Sequence, residues 1–257
     1  MADERVRWKT DGLVTRLTLC RPQALNALGE EECAQFAAAL TKIAREKSRV
    51  VILTGEGAAF SAGGDMAFIE KNRARPKALL PKLMRDFYSS FLDIRKLPQV
   101  TVARINGAAV GAGLCLALAC DLRAALSSAK LALNFVRLGL NPGMAAWPLA
   151  RNAFGDARAR ELLLTGRFFS GKDLHDWGAA AVSADTPEQL EEKTSTLARE
   201  LAGRSWDAVK ILKDEMRLGE DLNKFLALEA RGQTQCFKGP DIAEGVAAVR
   251  EKRAPRF

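Results

Sequence analysis

Two runs of small residues in this sequence stand where an apolar run ends, and both can present backbone N–H groups to a ligand. The first is AFSAGGDM at residues 59–66, after the apolar run 50–54, and the second is NGAAVGAGLCLALACD at residues 106–121, after the apolar run 100–105. Glycine allows a ligand to approach the backbone closely, and the unpaired N–H groups where a helix begins attract a negatively charged oxygen. Two N–H groups that converge on one oxygen form an oxyanion hole. Either loop alone is also typical of an ordinary turn.

Together, and in this order, the two loops resemble those of the crotonase superfamily (the enoyl-CoA hydratase/isomerase family), which bind a thioester carbonyl. Four further stretches look like signatures of the same family, and the resemblance covers nearly the whole chain. They are RPQALNAL (21–28), LGLNPGMAA (138–146), TGRFFSGKDLHDWG (165–178) and CFKGPDIAEGVAAVREKRAPRF (236–257). The resemblance implies an acyl-CoA or acyl-carrier-protein thioester as the substrate, turned over through an enolate. Coenzyme A then enters as part of the substrate, and no separate cofactor is expected.

The resemblance also assigns roles to individual residues. The backbone N–H groups of Gly64 and Ala112 match the two oxyanion donors of the family; alanine replaces a frequent glycine at the second position, but the donor is a backbone group. The residues expected to contact coenzyme A are Arg21, Ala24, Ala62, Lys238 and Lys252. The residues expected to line the substrate pocket are Met66, Tyr88, Cys115, Asn134, Phe135, Pro142 and Gly143.

The chain departs from the family at the two glutamates with which hydratases hold the water that adds to the double bond. One glutamate lies two residues after the second glycine loop, and the other lies four residues before the glycine of the LG turn. Here those positions are Cys115 and Phe135. Neither side chain is a carboxylate base, and Phe135 makes its side of the pocket apolar. The sequence therefore argues against hydration by the usual route, and also against isomerisation that uses the second carboxylate.

Members of the family that lack both glutamates include decarboxylases of polyketide β-branching, and NFVRLGLNPGMAA at 134–146 is similar to their sequences. A decarboxylase needs oxyanion donors, an apolar place for the substrate carboxylate and a proton donor. Those enzymes use a lysine in the mobile segment, for which Lys71 or Lys77 could substitute, and a C-terminal histidine, which is missing here. The remaining acid–base candidates are Tyr88, the only tyrosine, and His175, the only histidine. Core packing of Tyr88 and a structural role for His175 are the alternatives.

Two other classes of function compete with an enzyme: a thioester-binding protein without activity, and a nucleic-acid binder suggested by the net charge of +8. Lys and Arg are dispersed except at residues 71–82 and 250–256, and neither stretch carries the interleaved aromatic residues of a single-strand binder. Solvated helix faces, or the phosphates of coenzyme A, account for these charges. We therefore expect no nucleic-acid partner.

The composition indicates a globular protein. The 257 residues, 48% of them hydrophobic, suffice for a large core. The sequence contains no uninterrupted apolar run of about 18 residues, so no membrane span is predicted. The N-terminal MADERVRWKT is too charged for a secretory signal, so we expect a cytoplasmic protein. The five cysteines are scattered without the spacing of a zinc site, and there is a single histidine, so no metal is expected.

The elements that must hold the two loops follow from the apolar patterns. Asp11-Gly12 separates two short β patterns as a hairpin turn, and a helix over 30–45 and a strand over 50–54 follow. Residues 66–96 are mostly helical, but Pro76 and Pro81 predict that the first half is a mobile loop with a short turn. Strands are expected at 100–105 and 122–125, and helices at 145–154, 156–164, 171–177, 187–201, 205–218 and 221–237.

These elements predict an α/β fold. From the resemblance, residues 1–190 form a crotonase-like spiral of β–β–α repeats that binds the acyl-CoA, and residues 191–257 form a C-terminal helical region. That region is expected to assemble the chain into a homotrimer, or into a hexamer of stacked trimers. The residues alone leave a flavodoxin-like strand order open.

Overall fold

The computed structural model describes residues 4–217, 222–239 and 241–253, which form a mixed α/β fold. Its strands are β1 (Val6–Asp11), β2 (Val14–Leu19), β3 (Val50–Gly55), β4 (Ala59–Ser61), β5 (Val100–Ile105), β6 (Ala108–Val110), β7 (Leu122–Leu126), β8 (Lys130–Ala132), β9 (Phe168–Ser170) and β10 (Val182–Ala184). Its α-helices are α1 (Glu30–Ile43), α2 (Met66–Ala74), α3 (Leu80–Leu92), α4 (Ala112–Leu118), α5 (Ala146–Phe154), α6 (Asp156–Thr165), α7 (Gly171–Asp176), α8 (Pro187–Ala202), α9 (Trp206–Arg217), α10 (Leu222–Lys238) and α11 (Asp241–Arg250). Short 3₁₀ helices occupy Pro22–Ala24, Lys77–Leu79, Asp93–Lys96 and Phe135–Leu138.

Consecutive strands in the middle of the chain alternate between two sheets. The larger sheet has the order β1-β2-β3-β5-β7-β10, and the smaller has the order β4-β6-β8-β9. β3, β5 and β7 pair in parallel in the first, and β4, β6 and β8 pair in parallel in the second. A helical segment follows each two-strand unit, since α2 and α3 follow β4 and α4 follows β6. The predicted spiral of β–β–α repeats is confirmed, and the flavodoxin-like order is excluded.

The predicted hairpin opens the larger sheet, with its turn one residue later than expected. Asp11 pairs with Val14, so the two turn residues are Gly12 and Leu13. Gly12 has a φ of +55°, and glycine in the first central position is typical of a type II′ hairpin turn. β2 then pairs in parallel with β3, which carries the hairpin into the spiral.

The prediction of a loop and short turn in the first half of 66–96 was wrong, because α2 is helical through Ala74. The Asp65 side chain accepts a hydrogen bond from the Phe68 N–H at 3.0 Å, and such a cap stabilises the first turn of a helix. The break comes at Pro76, where α2 has ended. Pro81 lies in the first turn of α3, where proline is tolerated because that N–H has no helical partner.

Five strands of three residues each escaped prediction from the sequence: β4, β6, β8, β9 and β10. Three residues are too few to show the alternation that marks a strand. Two of these strands, β4 and β6, lead directly into the small-residue loops. The smaller sheet therefore positions the loops, although the sequence pattern is too short to predict its strands.

The last third of the described chain is helical, as predicted. The helix expected at 221–237 is observed as α10, although its first predicted residue, Asp221, lies outside the described residues. Leu218, the last residue of the helix predicted at 205–218, and Arg256, the last residue of the basic stretch 250–256, also lie outside them. α10 packs against α3, so the C-terminal helices reach the segment that follows the first loop. Within residues 4–217, 222–239 and 241–253, no helix has the length and apolar character needed to cross a membrane.

Candidate active site

The first small-residue loop is held against the segment that precedes α1. The Leu28 N–H donates to the Gly63 carbonyl at 2.7 Å, and the Asp65 N–H donates to the Leu28 carbonyl at 2.9 Å. These two bonds form a parallel bridge between Leu28 and Gly64. In a parallel bridge of this pattern, the N–H of the middle residue points away from the partner strand. The Gly64 N–H is therefore turned away from Leu28.

The second loop begins with a backbone turn that glycine permits. Gly111 has a φ of +53°, a region that other residues rarely adopt. Its N–H donates to the Ala132 carbonyl at 2.8 Å, which fixes the turn on β8. The chain then enters α4, and every residue of this helix is buried. The N–H of Ala112, the first residue of α4, has no partner within the helix.

The two loops approach each other so closely that side chains are excluded at the contact. A Cβ atom added to Gly63 would lie 2.5 Å from the Val110 carbonyl oxygen and 3.4 Å from the Ala112 nitrogen. A Cβ atom added to Gly113 would lie 2.4 Å from the Ser61 carbonyl oxygen. Real Cβ atoms do not occupy such positions, so both residues must be glycine here. The reciprocal contacts fix the Gly64 and Ala112 backbones relative to each other.

Neither the Gly64 N–H nor the Ala112 N–H donates a hydrogen bond to another of the described residues. Ala112 is 6% exposed, and a buried N–H without a partner costs folding free energy. Both residues line the same cavity, whose volume is about 410 Å³. The two donors are therefore available to an acceptor atom that enters this cavity.

Two structurally different walls enclose the cavity. The loop wall consists of residues 62–64 and 111–112. The helix wall consists of Phe68 on α2, Phe87 and Tyr88 on α3, and Gln233 on α10. Apolar side chains complete the lining, including Met84, Phe135, Leu140, Met144 and Phe237. An apolar cavity with a few polar groups is typical of a small-molecule site.

A stacked aromatic pair separates this cavity from a second one at the surface. The rings of Phe68 and Phe87 lie 4.5 Å apart between centroids, at an interplanar angle of 19°. Both residues also line a space of about 510 Å³ that we call the surface groove, together with Cys33, Leu79 and Leu83. The pair therefore forms the partition between the cavity and the groove.

The polar side chains that the described residues contribute to the lining are Asp65, Tyr88, Asn134 and Gln233. Asp65 is already engaged, because one of its oxygens caps α2 and the other lies 2.7 Å from the Arg21 guanidinium. Arg21 also reaches Glu32 at 3.4 Å. Partial burial lowers the pKa of Arg21, but the hydrogen bond with Asp65 and the charge of Glu32 outweigh this effect and raise it.

Tyr88 and Gln233 form a buried hydrogen-bonded pair across α3 and α10. The Tyr88 hydroxyl donates to Gln233 Oε1, and Gln233 Nε2 donates to the Asn141 carbonyl at 3.1 Å. Tyr88 is 1% exposed and Gln233 is 4% exposed. Buried polar pairs whose hydrogen bonds are satisfied are well ordered. The phenol oxygen is therefore held in one place in the cavity wall.

The positions of Cys115 and Phe135 differ in their access to the cavity. Phe135 lines it, and the space above Gly111 is filled by Asn134 Oδ1 and Phe135 Cζ, at 3.3 and 3.9 Å from a Cβ atom added there. Cys115 is fully buried outside the lining, and its Sγ lies 3.8 Å from the Gly143 carbonyl oxygen. Phe135 thus places an aromatic ring beside the second loop.

The other residues expected at the pocket divide in the same way. Met66, Tyr88 and Asn134 line the cavity, whereas Pro142 and Gly143 do not. Gly143 lies directly behind the polar pair, since a Cβ atom there would be 2.6 Å from the Tyr88 hydroxyl and 2.4 Å from Gln233 Nε2.

The five residues expected to contact coenzyme A are not gathered at one place. Ala24 and Ala62 line the cavity. Arg21 lies beside it but is occupied by Asp65 and Glu32. Lys238 donates to the Arg73 carbonyl at 2.8 Å and to the Arg75 carbonyl. Lys252 is exposed after α11, with a φ of +53°.

The remaining acid–base candidates lie away from the cavity. His175 Nδ1 is 2.9 Å from the Ala180 carbonyl oxygen, and it is exposed. Lys71 pairs with Glu30 at 2.7 Å, and Lys77 is exposed in the 3₁₀ helix before α3. None of the three is part of the described lining.

Sequence reasoning missed Gln233, Asp65 and Phe68. Asp65 carries a readable signal, because it follows a glycine pair and precedes an apolar helical pattern, as an N-cap does. Gln233 carries no such signal. Its partner Tyr88 lies 145 positions earlier in the sequence, and only the packing of α10 on α3 brings the two together.

Comparisons with known proteins identify the family. The family model described as enoyl-CoA hydratase/isomerase matches residues 9–257. The 1,2-epoxyphenylacetyl-CoA isomerase of Escherichia coli is 35% identical over 249 residues, with 95% of this chain and 94% of that protein covered. The putative enoyl-CoA hydratase/isomerase YhaR of Bacillus subtilis is 31% identical over 256 residues, with 99% of each chain covered.

Solved structures resemble the fold over its full length. The enoyl-CoA hydratase of Bacillus halodurans superposes with a TM-score of 0.87 at 25% identity, covering 95% of this chain and 99% of that one. OdaA of Pseudomonas aeruginosa gives a TM-score of 0.84 at 28% identity, covering 96% and 99%. The chain therefore belongs to the enoyl-CoA hydratase/isomerase family of the crotonase superfamily, as the family model, the relatives and the spiral of two sheets all show.

Proposed function

We propose that this protein is an enzyme that acts on an acyl-CoA or acyl-carrier thioester and stabilises an enolate at the thioester oxygen. The observation that carries the proposal is that the N–H groups of Gly64 and Ala112 line one apolar cavity without a hydrogen-bond partner among the described residues. An oxyanion that accepts both would satisfy two otherwise unsatisfied donors. Each such donor contributes about 3 to 4 kcal/mol to transition-state stabilisation.

Reactions in which the enolate forms without added water fit this cavity best. Hydration needs one group to take a proton from water and another to deliver one to the α carbon. We propose that Cys115 and Phe135 occupy the positions of the two hydratase glutamates, and neither supplies a carboxylate. Isomerisation, the activity named for the Escherichia coli relative, needs a proton transfer but no bound water. It would then use a base other than the missing carboxylates.

Decarboxylation of a methylglutaconyl-type thioester is a second candidate, favoured by Phe135 beside the second loop. An apolar ring disfavours a nearby substrate carboxylate, and loss of carbon dioxide yields the enolate that the two N–H groups would hold. Lys71 and Lys77 lie outside the described lining, so we do not assign them a part in this reaction. A thioester-binding protein without turnover is the remaining alternative.

Binding of the carrier is proposed at the mouth of the cavity. The backbone around Ala24 and Ala62 borders the cavity and can accept the adenosine of coenzyme A. Lys252 is exposed and available for a phosphate. Arg21 and Lys238 are held by other groups, so their proposed contact with coenzyme A requires exchange of partners.

We also propose a homotrimer, or a hexamer of stacked trimers. Large apolar side chains on α9 are exposed, with Ile211 at 60%, Leu212 at 51% and Met216 at 64%, and burial in an interface would remove them from water. Sedimentation at micromolar concentration is the direct measurement. A stable 27.9 kDa monomer contradicts this assembly.

The function is tested with three assays on the purified protein. Calorimetry measures binding of crotonyl-CoA, loss of the enoyl thioester absorbance measures hydration, and trapped carbon dioxide measures decarboxylation of methylglutaconyl-CoA. Binding with slow hydration supports the proposal, and carbon dioxide release selects decarboxylation. Fast hydration refutes the assignment of Cys115 and Phe135, whereas no binding of either thioester refutes the function. The same thioesters on an acyl carrier protein distinguish the two carriers.

A further inference from the structure

The chemistry proposed above needs a group that can deliver a proton, and few described side chains in the lining can. Asp65 and Tyr88 are the two that can ionise, because the amides of Asn134 and Gln233 form hydrogen bonds but do not ionise. Asp65 is occupied by the Arg21 guanidinium and the Phe68 N–H. Tyr88 carries a hydroxyl proton at the cavity wall.

The hydroxyl of Tyr88 packs against the backbone of Gly143, in the segment that precedes α5. A Cβ atom on Gly143 would lie 2.6 Å from Tyr88 Oη, so the hydroxyl rests on the Gly143 backbone. The Gly143 carbonyl in turn contacts Cys115 Sγ at 3.8 Å. Cys115 lies on α4, the helix that begins at Ala112. The Gly143 backbone therefore links the phenol oxygen to the helix whose first N–H belongs to Ala112.

The second observation is the pairing with Gln233, which packing alone does not require. A phenylalanine would fill the aromatic cluster formed with Phe87, whose ring lies 6.2 Å from that of Tyr88. Instead, the hydroxyl and the Gln233 amide are buried together, and the amide is anchored on the Asn141 carbonyl. Two buried polar groups are kept oriented at the edge of an apolar cavity.

We propose that Tyr88 is the general acid of this site and protonates the enolate carbon, with Gln233 as its positioning residue. In the step, the Tyr88 O–H bond breaks, a C–H bond forms at the enolate carbon, and the thioester carbonyl is restored. The phenolate then regains its proton from water that enters the open mouth. This inference rests on the proposed function, because it requires an enolate in the cavity.

The first test combines three variants with one exchange assay. The rate of deuterium incorporation at the α carbon of a saturated acyl-CoA is followed by NMR in D₂O, together with kcat and KM on the substrate found active. In this exchange the Tyr88 phenolate takes the α proton, and the Tyr88 phenol, after exchange with D₂O, returns a deuteron to the enolate carbon. Tyr88→Phe lowers exchange and kcat by about 10²-fold with KM unchanged. Gln233→Met causes a smaller loss of the same kind.

The double variant Tyr88→Phe/Gln233→Met separates chemistry from packing. Tyr88→Phe alone leaves the Gln233 amide oxygen buried without its donor and destabilises the fold, whereas the double variant replaces both partners with apolar groups. Thermal unfolding of the double variant therefore returns toward that of the wild type. Its exchange rate stays as low as that of Tyr88→Phe. A purely structural role predicts that exchange recovers together with stability.

The second test uses the fact that Tyr88 is the only tyrosine in the sequence. Biosynthetic replacement of tyrosine by mono- and difluorotyrosine changes this phenol alone and makes it more acidic in steps. The alkaline limb of the pH–rate profile then moves to lower pH with each fluorine, because the protonated acid is lost earlier. An alkaline limb that does not move contradicts the proposal.

The outcomes separate this inference from the function on which it rests. If the wild-type protein neither binds thioesters nor exchanges α protons, both the proposed function and the proposed role of Tyr88 are refuted. If the wild-type protein exchanges α protons and a folded Tyr88→Phe variant exchanges them equally fast, only the proposed role of Tyr88 is refuted.

Discussion

The loop wall of the cavity presents backbone groups to a ligand, whereas the helix wall presents side chains. Gly63 and Gly113 set the loop wall through contacts that no side chain could enter. The helix wall depends on side-chain contacts, which are the stacked rings of Phe68 and Phe87 and the hydrogen bond between Tyr88 and Gln233. Substitutions in the loop wall therefore act through backbone geometry, while substitutions in the helix wall act through size and polarity. The loop wall suits the step common to the family, and the helix wall suits what differs between its members.

Ala112→Pro is the strongest way to break the loop wall. Proline removes one of the two N–H donors but is compatible with the first position of a helix. We expect a loss of about 10²- to 10³-fold in turnover, measured as kcat with circular dichroism to confirm the fold. Ala112→Ser keeps the backbone donor and is the matched control. Unchanged turnover in a folded proline variant would show that this N–H does not act on the substrate.

Gly143→Ala tests how tightly the Tyr88–Gln233 pair of the helix wall packs on this glycine. The added methyl would lie 2.6 Å from the Tyr88 hydroxyl and 2.4 Å from Gln233 Nε2, so the pair must move or break. Overpacking of this kind costs about 1 to 3 kcal/mol, which denaturant titration can measure. Gly155→Ala is a control without a steric clash, because nothing lies near its Cβ position, although its φ of +74° adds strain of its own. An equal loss in the two variants would contradict the steric argument.

Phe87→Leu tests the partition between the cavity and the surface groove. A smaller side chain opens space behind Phe68, and each extra methylene buried is worth about 0.8 kcal/mol, or a factor of roughly four. We expect kcat/KM for an acyl chain one carbon longer to rise by about that factor relative to the shorter chain. Leu83→Ala enlarges the groove without touching the cavity and should leave the ratio unchanged.

Glu30→Gln should have the smallest effect, because it acts on the helix wall only through the attachment of α2. Lys71 and Arg75 hydrogen-bond the Glu30 carboxylate and lower its pKa. The lowered pKa means that Glu30 stabilises the fold above its ordinary pKa of 4.5, and that this contribution is lost as the pH falls through the lowered value. Glu30 is partly exposed, so its contribution is about 0.2 to 1 kcal/mol. Urea titrations at pH 7 and pH 3 should differ less for the variant than for the wild type.

The sequence predicted the loop wall better than the helix wall, and the reason is physical. Backbone donors in a glycine loop are encoded locally, so adjacent residues marked the two loops, and the resemblance to the family then selected Gly64 and Ala112 within them. Short strands such as β4 left no periodic pattern, although they position those loops. Gln233 could not be selected at all, since its role depends on a contact with Tyr88 across 145 positions. Asp65 is readable as a helix cap, and this signal would have predicted that α2 begins directly after it.

The packing of α10 on α3 has a consequence for biosynthesis. Gln233, Phe237 and Val249 complete a cavity whose other described lining residues lie between Ala24 and Met144 in the sequence. During translation the N-terminal strands can pair early, but α10 follows the other walls in the sequence and leaves the ribosome after them. Until α10 has emerged, the surface of α3 against which it packs is uncovered. The cavity is finished only when α10 has docked, and until then that surface is open to chaperones and to neighbouring chains.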